Sequence, residues 1–173
     1  MKFKLVLTLC MLLCAVTYAE TPVGSFSVGY QSMIVGEFLQ GLSMRTWLTE
    51  ASGIEINLFH AYADVDIEGD SEDATLLALE GKYMQSLKTG ENSKFYAGAS
   101  AGFGQVSVSV YDDSDLDVYW IRPLVGTEWF FSEIPEIGFN FDVGYSLAFG
   151  SVEDTDISLF GIGANFGAHY YFN

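Results

Sequence analysis

"IGFNFDVGYSLAF", Ile137 to Phe149, decides the fold. Its odd positions are Ile137, Phe139, Phe141, Val143, Tyr145, Leu147 and Phe149. Its even positions are Gly138, Asn140, Asp142, Gly144, Ser146 and Ala148. A period of two is the signature of a β-strand, because successive side chains point to opposite faces of a sheet. Seven large apolar residues therefore share one face, and Asn140 and Asp142 sit at the centre of the other. In a soluble sandwich the second row would meet water and would carry long charged side chains. A row of Gly, Ala, Ser, Asn and Asp suits the crowded inside of a narrow barrel, and the large row suits lipid. A soluble β-sandwich is the competing fold, and it predicts a protein that stays in aqueous solution without detergent.

The same alternation recurs along the chain. Phe26, Val28 and Tyr30 oppose Ser27, Gly29 and Gln31; Leu42, Met44 and Leu48 oppose Ser43, Arg45 and Trp47. Ile54, Ile56, Leu58 and His60 oppose Glu55, Asn57 and Phe59, and Leu77, Leu79 and Tyr83 oppose Ala78, Glu80 and Lys82. Phe95 to Gly104, Tyr119 to Trp129 and Ile157 to Phe172 complete a set of eight strands. Pro123 lacks an amide hydrogen, so a bulge or an irregular pair is expected there. After Gly104 the large residues Val106, Val108 and Val110 take even positions, which predicts a slip of phase above the membrane.

The start of the chain reads as targeting. Lys2 and Lys4 precede an apolar run, Leu5 to Val16, too short to span a bilayer as a helix. Thr17 and Ala19 are small residues before a cut ahead of Glu20. This layout predicts a cleavable secretory signal over 1–19 and a barrel domain over 20–173. Cleavage removes Cys10 and Cys14, and with them any disulfide, thiol nucleophile or cysteine metal site. It also takes the net charge from −16 to −18. No later segment approaches the ~18 consecutive apolar residues of a membrane-spanning helix. Half of the chain is nonetheless apolar, so those residues have to be interleaved.

Connections alternate in length. Thr49–Gly53, Thr89–Ser93 and Ser132–Glu136 are short. The segment near 32–40 and those from Asp64, Tyr111 and Ser151 are longer or more acidic, and together hold 14 of the 23 acids and no Lys or Arg. Short turns on one side and long loops on the other are the habit of outer-membrane barrels, and place both termini in the periplasm.

The last residues are "NFGAHYYFN", in which Asn165, Gly167, Tyr170 and Phe172 follow a polar–x–Gly–x–x–aromatic–x–aromatic pattern. It resembles the C-terminal signal that the barrel-assembly machinery reads in bacterial outer-membrane proteins, although Asn173 follows the final aromatic. Over residues 23 to 172 the chain resembles the small eight-stranded OmpA/OmpX-type barrels. That resemblance implies an all-β, antiparallel up-and-down transmembrane barrel, monomeric, with a packed interior. It also implies roles among adhesion, envelope stability, small-solute passage and, occasionally, lipid modification.

Three groups of residues could carry chemistry. Arg45, Lys82, Arg122, Glu55, Glu80, Glu128 and Asp142 fall on inward faces, where buried charges must be paired or hydrated. They are expected to form a salt-bridge network filling the lumen; a narrow channel for small solutes is the alternative. Asp64, Asp66, Glu68, Asp70 and Glu72 follow the spacing of a calcium loop. Thr75 stands where the bidentate carboxylate is needed, so weak binding of calcium or magnesium is expected, with no other cofactor. His60 points outward near the upper interface, as lipid-modifying barrel enzymes require, but no Ser or Asp is aligned with it. His169 and the three tryptophans, Trp47, Trp120 and Trp129, are expected to pack. The basic residues are placed in the lumen or near the second short turn, which argues against nucleic acid as a partner. The expected surroundings are outer-membrane lipid, and the expected role is structural or interactive.

Overall fold

The computed structural model describes residues 24–35, 37–67, 70–108, 116–152 and 155–172, with only the backbone described at 35, 37–38, 63–67, 70–73, 108, 152 and 155–157. The eight strands are β1 (Phe26–Val35), β2 (Glu37–Trp47), β3 (Ser52–Ile67), β4 (Asp70–Thr89), β5 (Ser93–Val108), β6 (Leu116–Phe131), β7 (Ile134–Val152) and β8 (Thr155–Phe172). Each pairs antiparallel with its neighbours in sequence, and β1 pairs with β8 to close the barrel. Closure leaves the paired strands without an open edge, the condition for placing a sheet in a solvent that cannot hydrogen-bond.

The register sets the width. Val28 pairs with Met44, and the ladder continues through Ile56, Gly81, Ala101, Ile121 and Leu147 to Phe160. Val28 itself pairs with Tyr170, so one circuit returns to β8 ten residues from Phe160. A stagger of that size over eight strands tilts them by roughly 40° and leaves an interior that side chains alone can fill. Leu42, Leu58, Leu79, Ile121 and Phe149 all lie exposed on the outer surface, while Arg45, Glu80 and Arg122 are buried inside. This distribution is the inverse of a soluble protein's.

Pro123 does open the ladder. It pairs with Ala99 on β5, but the β6–β7 pairing passes from Ile121↔Leu147 to Leu124↔Gly144 with no pair between. The register is unchanged across the gap, so this is an irregular pair and not a bulge. The one shift in that hairpin lies between Phe130 and Phe131.

Two expectations about the outer end are corrected. The segment 32–40 is not a loop: Ser32↔Gln40, Met33↔Leu39 and Val35↔Glu37 are ladder pairs. Likewise Asp64 to Ile67 and Asp70 to Asp73 pair as the extended tip of the β3–β4 hairpin. Backbone pairing is indifferent to side-chain polarity, so acidic stretches continue the strands. Nor does the phase slip after Gly104. Val106 pairs with Leu76 in unbroken register, with Gln105 exposed beside it. The inward face itself changes from small and polar to apolar at that height.

Glycine sets the interior space. A Cβ on Gly102 would collide with the Trp120 ring, whereas one on Gly81 would meet nothing within 4 Å. Gly102→Val is therefore expected to cost about 1–3 kcal/mol of stability through overpacking. Gly81→Val should stay within about 0.5 kcal/mol of the parent. Urea unfolding in detergent micelles, followed by tryptophan fluorescence, checks both.

Candidate functional site: a charged lumen sealed at both ends

Seven inward-facing charges meet in one continuous chain of alternating sign. Arg122 Nη2 lies 3.3 Å from Glu80 Oε2 and 3.7 Å from Asp142 Oδ1. Lys82 Nζ bridges Asp142 Oδ2 at 2.8 Å and Glu55 Oε1 at 2.7 Å. Arg45 pairs with Glu55 and, through Nη1, with Glu128 Oε1 at 2.9 Å. The order is thus Glu80, Arg122, Asp142, Lys82, Glu55, Arg45, Glu128, drawn from β2, β3, β4, β6 and β7. Every one of these side chains is fully buried. Small inward residues among them, such as Ser100 and Gly102 on β5, make room for the long side chains.

Neutral donors complete the carboxylates. Glu128 accepts hydrogen bonds from Trp47 Nε1 (2.5 Å) and the Tyr171 hydroxyl (2.7 Å). Glu80 accepts from Ser100 Oγ, Trp120 Nε1 and Asn57 Nδ2 at 3.0–3.1 Å. Buried carboxylates need such partners, because each unpaired lone pair in a dry interior costs free energy. The seven carry one more negative than positive charge. Lys94, also buried, supplies a fourth cation and stands 4.0 Å above the Trp47 ring, a cation–π arrangement.

Apolar clusters close the lumen above and below the charges. Trp47, Met84, Tyr96, Leu124, Phe130 and Tyr171 pack together toward the short-turn end. Met33, Phe59 and Ala78 pack with Leu39, Leu76 and Trp120 toward the opposite end. Parity along the strands marks the inward residues. The large aromatics among them run against an expectation of small interior side chains, because only the register shows where the barrel has space.

The four residues of the terminal pattern divide between the faces of β8. Asn165 and Gly167 face inward, and Tyr170 and Phe172 are exposed outside. Asn165 Oδ1 accepts from Arg122 Nη1 at 2.7 Å, which ties the pattern to the lumen network. A Cβ on Gly167 would collide with the Gln31 side chain. Tyr170 pairs with Val28 and Phe172 with Phe26 at the closing seam.

His169 is buried with Nε2 2.8 Å from Ser43 Oγ. Trp129 stacks on Phe139 at the outer surface. His60 is exposed on the outer face; its row on the ladder is Ser32–Gln40–His60, so Gln40 stands between the serine and the histidine. Ser32 Oγ donates to the Tyr30 hydroxyl at 3.0 Å, so no serine–histidine pair forms there. The side chains of Asp64, Asp66, Glu68, Asp70 and Glu72 lie outside the described residues, as does the backbone of Glu68. Among the described residues no group of three or more His, Cys, Asp or Glu is placed to hold a metal.

No family model matches the chain, and no curated protein does. Solved structures do share its fold. Neisserial surface protein A is 16% identical, covering 86% of this chain and 95% of its own, with a TM-score of 0.52. A major outer membrane protein from Thermus thermophilus is 13% identical, covering 86% and 99%, with a TM-score of 0.51. The fold is that of the small eight-stranded outer-membrane β-barrels.

Breaking the charge chain at its middle is expected to be costly. Lys82→Met leaves Glu55 and Asp142 facing each other across a dry lumen and should cost about 3–5 kcal/mol. The double variant Lys82→Met, Asp142→Asn should recover at least half of that loss. Urea midpoints of the three proteins in one detergent decide the matter; equal losses in single and double variants would mean that the pair is not coupled.

Proposed function

We propose that this chain is an integral barrel of the bacterial outer membrane with a structural or surface-interaction role. The observation that carries the reading is the inverted distribution of residues. A continuous outer surface of Leu, Ile, Phe and Tyr surrounds an interior of paired charges, and such a surface is stable only in lipid. Residues 1–19 then serve as a secretory signal, and the barrel occupies 20–173. The ends of β1 and β8 lie with the short turns, which puts both on the periplasmic side. Tyr170 and Phe172, exposed at that end, suit the aromatic belt of the interface and the part of the terminal pattern that the assembly machinery would read.

The apolar plugs at either end of the charge chain favour a closed lumen over a solute channel. Acidic loop tips carrying Asp64, Asp66, Glu68, Asp70 and Glu72 would attract calcium or magnesium weakly and diffusely. A monomer suits a barrel whose strands all find partners within one chain.

The deciding experiment compares cold and boiled gel mobility of the detergent-extracted outer-membrane fraction. A band that shifts on boiling is expected, and deletion of Tyr170 to Asn173 should abolish it by shortening the closing seam. A soluble protein whose mobility ignores heat would overturn the reading. In planar bilayers the purified barrel should give no steady current, and a regular unitary conductance would replace the closed lumen with a channel.

A further inference from the structure

The lipid-facing surface has one break in its apolar character that the lumen does not explain. Gln40 on β2 and His60 on β3 are directly paired across the ladder, and both are exposed on the outer face. Their outward neighbours are apolar: Leu42 and Leu58 form the next pair toward the short turns, and Leu77 lies beside His60 on β4. Tyr62, the next outward residue of β3 beyond His60, is also exposed, so the polar pair lies within the apolar band and not at its limit. Among the described residues neither side chain has a hydrogen-bond partner. Polar groups turned toward hydrocarbon without partners are costly, and mark function more often than decoration.

The pair also stands over a hollow. Gly41 and Ala61 leave a groove of about 540 Å³ between Tyr30, Leu58 and Tyr62. The Tyr30 hydroxyl on one wall is held by Ser32. Apolar walls with two polar side chains at one point match an amphiphile: acyl chain in the groove, linkage group against Gln40 and His60.

The chemistry of the pair narrows the amphiphile. A glutamine amide both donates and accepts, and a neutral imidazole does the same. Ester-linked phospholipids offer only acceptors at the level of their acyl linkages. An amide-linked, hydroxylated acyl chain offers a donor and an acceptor together. No Lys or Arg lines the groove, so a phosphate is not what it recognises. The geometry points to a specific site for an acylated amino-sugar lipid of the outer leaflet, bound through its amide-linked acyl chain by Gln40 and His60. This inference rests on the outer-membrane reading above.

Native mass spectrometry of the full barrel released from detergent tests it, with lipid A and phosphatidylglycerol as competing probes. Lipid A is expected to be retained in preference to phosphatidylglycerol. Gln40→Leu and His60→Leu should each weaken lipid A retention ~10-fold, the loss of one good hydrogen bond on the affinity scale, and leave phosphatidylglycerol unchanged. Gln85→Leu, at another exposed polar residue remote from the groove, should change neither. Equal retention of the two lipids, or indifference to both groove substitutions, would overturn the site. A dimer of the parent protein that is lost in either leucine variant would assign the face to a second copy and also overturn it. Heat-shifted mobility of each variant, measured alongside, separates failure of the site from failure of the barrel.

Discussion

The alternating chain from Glu80 to Glu128 is the interaction to which the rest of the barrel conforms. Three cations and four carboxylates are held where water is scarce, and isolated charges there would be prohibitive. Each must therefore reach a partner from a different strand, so the register of every pair contributing to the chain is fixed at once. A shift of one residue on β4 would send Glu80 and Lys82 into the lipid and bring Leu79 and Gly81 inside. The same demand fixes the interior glycines, because Trp120 reaches Glu80 only by lying over Gly102.

The two apolar plugs follow from the same constraint. Ion pairs are strongest where water is excluded, and Trp47, Phe130 and Tyr171 at one end and Met33 and Phe59 at the other exclude it. Trp47 and Tyr171 serve both parts, with rings in the plug and polar atoms on Glu128. The interior is thus a layered core turned inside a lipid-facing shell. The comparison structures share the shell and, at 16% and 13% identity, support nothing about the contents.

Much of this is legible from parity alone. Ile137–Phe149 declares its two faces, and the inward position of Arg45, Lys82, Arg122 and their acids follows from counting by twos. What parity does not supply is partnership: that Lys82 bridges Glu55 and Asp142, or that Asn165 serves Arg122, depends on a stagger visible only once the ladder closes. The stretches that depart from expectation have a common cause. At Val106 the lumen turns apolar while the outer face turns polar, so the alternation persists but its sign reverses, which mimics a slip. At 32–40 and 64–73 the strands leave the lipid, the contrast between faces fades, and acidic composition reads as loop.

The seam between β1 and β8 has a temporal meaning. Phe26 is partnered by Phe172, so the first strand of the sheet waits for the last. Contacts of such long sequence separation form late and slowly. Until β8 exists, β1 presents an open row of amide and carbonyl groups, and the lumen charges lack Asn165 and Tyr171. The polypeptide therefore cannot reach its final state piecemeal as it is made. It has to travel unclosed, shielded from its own kind, and complete its ring only at the place where lipid awaits the outer face.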